Sequence, residues 1–172
     1  MWDYSAATVP TEEDPYQRRS TAPWGTESIQ QLVIEKGVTS IGRYAFIGQD
    51  RLLTLTLPEG MESIGESSFE NCYNLGSVRL PEGLKEIGGL AFSNCFVEEL
   101  YIPASLTTLG ERAFTGNGLT TLEIAPGNEM FLAVDLGLYS KDMTRLYIQH
   151  WIGKTAVIPD SVQSMDMNVL LS

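Results

Sequence analysis

The chain has 172 residues, 43% of them apolar, with 22 acidic against 11 basic side chains and a formal net charge of −11. A chain of that length buries roughly 70% of its unfolded surface in one core, and no run of about 18 apolar residues exists to cross a membrane as a helix. The acidic field repels DNA and RNA with no basic stripe to offset it, and one histidine with two cysteines falls short of a transition-metal ligand set, so neither metal nor cofactor is expected.

Residues 1–28 keep no period. "MWDYSAATVPTEEDPYQRRS" lacks a basic start followed by an apolar stretch, so it does not read as a signal peptide. The segment holds Trp2, Tyr4, Tyr16 and Trp24 with Pro10, Pro15 and Pro23. It reads as an irregular cap whose aromatic side chains cover the exposed end of the first repeat unit, with an aromatic ligand site as the alternative.

From residue 29 the chain repeats. Aligned on a glycine, it gives "SIGRYAF", "SIGESSF", "EIGGLAF" and "TLGERAF", with Gly42, Gly65, Gly88 and Gly110 at spacings of 23, 23 and 22. Phe46, Phe69, Phe92 and Phe114 keep the same step. Ahead of each lies an apolar alternation, "LVI" from Leu32, "LTL" from Leu55, "VRL" from Val78 and "LYI" from Leu100, and "LEI" from Leu122 continues the series. Period-two alternation predicts a short strand with Leu55 and Leu57 on one side and Thr56 on the other. Pro58, Pro81, Pro103 and Pro159, lacking an N–H, end the strands, and Gly37, Gly60 and Gly83 supply a turn. The "IGxxAF" element then returns the chain on the opposite side as a single helical or 3₁₀ turn. Ala45, Ala91 and Ala113, with Ser68 in the same position, keep that arm slim.

One such unit cannot bury its apolar side, whereas stacked units can. The expectation is an α/β solenoid over 29–172: about six coils of 22–23 residues, a parallel sheet of short strands about 4.8 Å apart, and turns and short helices behind it. The register breaks over about 126–154, where "LGLYS" and "TRLYI" flank "KDM" and predict one inserted β-hairpin before the last coil. The repeat resumes at "VIPDSVQSMDMNVL", placing Met165 in the isoleucine position, Asp166 in the glycine position and Leu170 in the phenylalanine position. Cys72 and Cys95 each lie three residues after the repeat phenylalanine and share that position with Gln49 and Asn117. Equivalent side chains on stacked coils project in parallel, which separates the β-carbons and predicts two free, buried thiols rather than a disulfide.

The stretches "LTLPEGMESIGESSFENCYNL" and "VRLPEGLKEIGGLAFSNC" resemble the BspA-like leucine-rich repeats of bacterial surface proteins, because L-P-E-G and I-G-x-x-A-F recur in phase over residues 29–170. "LYSKDMTRLYI" followed by "GKTAVIPDSV", and "MWDYS" with "APW" near the start, are also similar to that family. The resemblance implies an extracellular or surface-anchored bacterial protein associated with adhesion to host proteins or to other bacteria, and it implies no enzyme chemistry.

A solenoid binds through its sheet face. The middle outward position reads Val33, Thr56, Arg79, Tyr101, Glu123, and the one two residues earlier reads Gln31, Thr54, Ser77, Glu99, Thr121. Thr56, Arg79, Glu99, Tyr101 and Glu123 are the candidate ligand-binding residues, since arginine and tyrosine anchor interfaces. The alternative is a solvated face on which Arg79 and Glu99 pair across coils. Tyr139, Tyr147 and Trp151 mark a secondary contact on the hairpin, with packing against the last coil as its alternative. His150 has no catalytic partner nearby in sequence. No G-x-S-x-G, H-E-x-x-H, C-x-x-C or phosphate loop occurs, and "TEEDP" and "YSKDMT" lack calcium-loop spacing. Together these features describe a non-catalytic, adhesion-type protein-interaction module binding a host or bacterial surface protein. The alternatives are a structural spacer within a larger surface protein and a glycan-binding module using Tyr101 and Trp151.

Overall fold

The computed structural model describes residues 6–8, 18–150 and 157–166. Trp2, Tyr4, Pro10, Pro15, Tyr16, Trp151 and Leu170 lie outside the described residues. Near the start, β1 (Ala6–Thr8) and β2 (Arg18–Ser20) pair antiparallel. The coils then lay down β3 (Gln31–Val33), β4 (Ser40–Ile41), β5 (Thr54–Thr56), β6 (Ser63–Ile64), β7 (Glu86–Ile87), β8 (Glu99–Ile102), β9 (Thr108–Leu109) and β10 (Thr121–Ile124). Next come β11 (Phe131–Val134), β12 (Gly137–Ser140) and β13 (Arg145–Gln149), and the last coil adds β14 (Ser164–Met165).

The result is a parallel-sheet solenoid with two ladders where the sequence predicts one. The leucine alternations form the first: β3 pairs with β5 and β8 with β10, all parallel, and Ser77 bridges to Glu99. The ladder is interrupted between the second and third coils. The residues just before each repeat glycine form the second, a continuous parallel sheet in the order β4-β6-β7-β9.

The return arm departs from expectation: no helix forms among the described residues. Its amide groups alternate between two kinds of partner. Ser67, Phe69 and Asn71 donate to Gly89, Ala91 and Ser93 one coil on, at 2.9 Å each, while Ser68, Glu70 and Cys72 close turns onto Gly65, Ser67 and Phe69 of their own coil. The alternation needs left-handed backbone twice per arm. Tyr44, Ser67, Leu90 and Arg112 hold φ of 51–58°, and Gly48, Asn71, Asn94 and Gly116 hold 57–74°. A right-handed helix excludes both positions, and the second is filled by the two residue types that tolerate φ > 0 best.

Each repeat position buries beside its own counterpart, so the interior is a set of columns in one cluster. The phenylalanines form the most regular column. Phe46, Phe69, Phe92 and Phe114 stack with ring centroids 5.2–5.3 Å apart, and Trp24 adds a rung 5.4 Å from Phe46. Trp24 thus stands where the repeat places phenylalanine, and its Nε1 donates to Ala45 O at 2.8 Å. The repeat glycines meet the adjacent backbone: a β-carbon on Gly88 would lie 2.5 Å from Glu66 N, and one on Gly65 would lie 2.7 Å from Arg43 N.

The two cysteines are unbridged and fully buried. Cys72 Sγ donates to Phe46 O at 3.4 Å and Cys95 Sγ to Phe69 O at 3.0 Å. Their counterparts do the same: Gln49 Nε2 donates to Trp24 O at 3.1 Å, and Asn117 Nδ2 to Phe92 O at 2.8 Å. The position therefore requires a donor aimed at the carbonyl of the preceding coil's aromatic residue. Burial, reinforced by Cys95 alongside, holds the Cys72 thiol well above its ordinary pKa.

The insertion is an antiparallel meander, β11-β12-β13, and it is integral to the stack. β13 pairs parallel with β14, Arg145 opposite Ser164 and Leu146 opposite Met165. Gln163 N and Ser164 N both donate to Thr144 O, as Lys85 N and Glu86 N do to Glu62 O in earlier coils. β13 thus supplies the second-ladder strand that coil five lacks. Asp166, in the glycine position, completes the substitution. Its Oδ2 accepts from Arg112 N at 2.7 Å, where Leu90 N in the preceding coil donates to a backbone carbonyl, that of Glu111. Its Oδ1 accepts from Arg145 Nη2, also at 2.7 Å, a bond that raises the arginine's pKa.

These contacts set the response to substitution at four positions. Gly88→Ala loses about 2 kcal/mol by crowding the adjacent coil, whereas Gly60→Ala, with nothing within 4 Å of the added carbon, is near neutral in the same urea titration. Ser68→Ala gains about 1 kcal/mol, because the Ser68 hydroxyl is buried with no hydrogen-bond partner among the described residues, in a column otherwise held by alanine. Asp166→Ala loses about 2 kcal/mol by leaving the Arg112 amide without its acceptor and Arg145 with only the longer Glu111 contact at 3.5 Å; an unchanged urea midpoint would contradict its role as the closing group.

Candidate functional site

The outward residues of the first sheet stand on strands that bury leucine and isoleucine on alternate positions, as in β8, where Leu100 and Ile102 are buried and Glu99 and Tyr101 exposed. Pairing in register brings the exposed residues into columns. Val33 lies opposite Thr56, Tyr101 opposite Glu123, and Glu99 opposite Thr121. The face carries a shallow groove of about 660 Å³ lined by Arg79, Glu99, Tyr101 and Glu123 together with Glu59 and Glu82.

Four of the five sequence-predicted residues therefore meet in one groove, and Thr56 stands outside its lining, exposed on β5. Arg79 and Glu99 do not pair: among the described residues Arg79 makes no ion pair, while Arg43–Glu66 at 2.7 Å and Lys85–Glu62 at 3.2 Å show cross-coil pairing elsewhere. Sequence reading passed over Glu59 and Glu82, the glutamates of two successive L-P-E-G elements, whose recurrence in phase was the available signal.

Of the two readings for the hairpin residues, Tyr139 and Tyr147 follow the packing one. Tyr139 is 3% exposed, packed with Leu146, Met143 and Val162, and its hydroxyl bonds Gln149 at 3.2 Å. Tyr147 is half-buried, set edge-on to Phe131 at 5.5 Å with the Arg145 guanidinium over its ring. The reason is that β13 joins the stack, so the rings of β12 and β13 turn inward. The third member, Trp151, lies outside the described residues.

Two exposed aromatics, Tyr73 and Phe96, escaped the sequence reading. Phe96 is 57% exposed with φ of 59°, an unusual backbone for a bulky residue. Two residues separate Cys72 from Leu75, but only Phe96 separates Cys95 from Val97. The shortening of one repeat spacing to 22 is thus localised to this turn and absorbed by left-handed backbone.

Comparison with known proteins agrees with this geometry. Residues 22–131, well over half of the chain, match the family described as the BspA type leucine rich repeat region, in six copies. Among solved structures, the chain is similar to the T. pallidum leucine rich repeat protein, at 28% identity and a TM-score of 0.53 over 54% of this chain and 44% of that one. A leucine rich cell surface protein from Faecalibacterium prausnitzii matches at 26% identity and a TM-score of 0.56, over 71% of this chain and 40% of that one. The pneumococcal vaccine antigen PcpA shares the fold at 23% identity and a TM-score of 0.62, over 92% of this chain and 44% of that one. This chain therefore spans less than half the length of each of these solved chains. Among curated proteins none matches. With the repeat glycines, the phenylalanine column and the paired strands all in the family's phase, the chain belongs to the BspA-type leucine-rich repeat family.

Proposed function

We propose that this chain is a non-catalytic, adhesion-type interaction module of a bacterial surface or secreted protein, and that it contacts a partner protein through the first sheet. Leucine-rich repeats generally mediate protein interactions through such faces. The observation that carries the reading is the groove itself. Arg79 and Tyr101, residue types that dominate interface energetics, stand exposed on adjacent coils, and the guanidinium is not engaged by a neighbouring carboxylate among the described residues. An extracellular setting is supported by the F. prausnitzii relative, which is described as a cell surface protein.

The stacking contacts and the outward face share no side chains, so binding and stability separate experimentally. Arg79→Ala/Tyr101→Ala is expected to lose retention on immobilised extracellular-matrix or bacterial surface proteins that hold the unsubstituted chain, while Tm moves by no more than about 2 °C. Undiminished retention of the double variant would exclude this face as the contact surface.

A further inference from the structure

Resting on that reading, we infer that the groove receives an extended basic segment of a partner protein, one of whose lysine or arginine side chains lies on the Tyr101 ring between Glu99 and Glu123. Glu99 and Tyr101 share the exposed side of β8, and Glu123 stands directly opposite Tyr101 on β10. Same-side residues of one strand are about 6.7 Å apart and facing strands about 4.8 Å apart. Two carboxylates therefore flank one aromatic face within the reach of a single cationic head group, an arrangement that combines ion pairing with cation–π attraction.

The charges around it agree. The groove is lined by Glu59, Glu82, Glu99 and Glu123 against the single cation Arg79, and the whole chain carries −11. The strand residues of the same face in the first two coils are neutral, with Val33, Thr54 and Thr56 outward, so the strand-borne carboxylates Glu99 and Glu123 stand on the later coils. Two other tyrosines already carry arginines of this chain, Tyr44 beneath Arg43 at 5.5 Å and Tyr147 beneath Arg145 at 4.8 Å. Tyr101 has no cation over its ring among the described residues, although Arg79 is its neighbour one coil away. A ring flanked by carboxylates and not claimed by the nearest arginine is available to a cation from outside. Each exposed contact is individually weak and salt-sensitive, so the site selects a charge class and leaves finer specificity to the rest of the face.

The test is fluorescence anisotropy at low salt with two dye-labelled peptides, one alternating lysine with threonine and one alternating glutamate with threonine, titrated with the full chain. The lysine peptide is expected to bind, with Glu99→Gln/Glu123→Gln weakening it about fivefold and Tyr101→Ala about threefold. Glu27→Gln/Glu86→Gln, which removes the same charge away from the groove, is expected to leave it unchanged. Equal weakening by the two glutamine pairs would mean that net charge alone attracts the peptide and would overturn the proposal. Preference for the glutamate peptide, lost in Arg79→Ala, would overturn it while leaving the sheet face as the contact surface. Indifference of both peptides to every groove substitution would overturn the proposal, and with loss of partner retention in Arg79→Ala/Tyr101→Ala also absent, the sheet-face reading would fall with it.

Discussion

Everything in this molecule depends on the contact between one coil and the next. The stacked rings from Trp24 through Phe114 repeat every 5.2–5.4 Å, close to the strand spacing of a sheet, so aromatic column and backbone ladders enforce one step. An aromatic pair adds about 0.5–1.5 kcal/mol beyond the area it buries, and here that contribution recurs at every interface. The repeat glycines exist because the same step leaves no room: a β-carbon at Gly65 or Gly88 would sit inside van der Waals contact with the backbone one coil back. Large rings and absent side chains are two consequences of a single spacing.

A stack of this kind must satisfy backbone polar groups at every level and find substitutes where a level is missing. The position shared by Gln49, Cys72, Cys95 and Asn117 illustrates the first requirement. Chemically unlike side chains converge there because each sends a donor to the carbonyl of the stacked aromatic residue one coil back. Asp166 illustrates the second. Where coil five has no return arm, a carboxylate reaches Arg112 N in place of a carbonyl and engages Arg145 from the inserted meander with its other oxygen. An aspartate in the glycine position marks a change of architecture, not decay of the repeat.

Much of this was legible in the sequence, and the remainder was hidden for physical reasons. The glycine and phenylalanine spacings disclose coils, strand order and inward and outward positions, because periodicity reports burial directly. The same spacings are silent on the return arm. Ile-Gly-x-x-Ala-Phe fits a helical turn locally, and only the neighbouring coil, by claiming alternate amide groups, converts it to a turn ladder with left-handed Tyr44, Ser67, Leu90 and Arg112. The second parallel sheet was missed for a related reason: two-residue strands such as Ser63–Ile64 are too short to show alternation. On the outward face the sequence identified which residues point outward but could not say that Arg79 and Glu99 stay apart. For Tyr139 the sequence leaves contact and packing both open. A tyrosine in a hairpin resembles a contact residue until the hairpin is seen to carry the next coil.

The separation of inward from outward positions also bears on how such a surface changes. Stacking constrains the leucine, isoleucine, glycine, alanine and phenylalanine columns, because each is buried against copies of itself. Nothing in that requirement reaches Thr56, Arg79, Tyr101 or Glu123, which alternate with the buried residues along strands held by backbone pairing. Surface substitutions of this sort ordinarily change stability by less than about 0.5 kcal/mol. The face is thus free to acquire charge and aromatic character coil by coil without disturbing the stack, and the run from neutral Thr56 through Arg79 to Tyr101 and Glu123 is what such freedom produces. Phe96 is the exception that marks the limit. It is exposed, but it sits in the turn that absorbs the shortened repeat, and its left-handed backbone ties an outward ring to the inward geometry. Any side chain with a β-carbon at that position, phenylalanine included, carries a backbone cost of about 1–2 kcal/mol, so this turn favours glycine or asparagine in a way that the strands of the face do not.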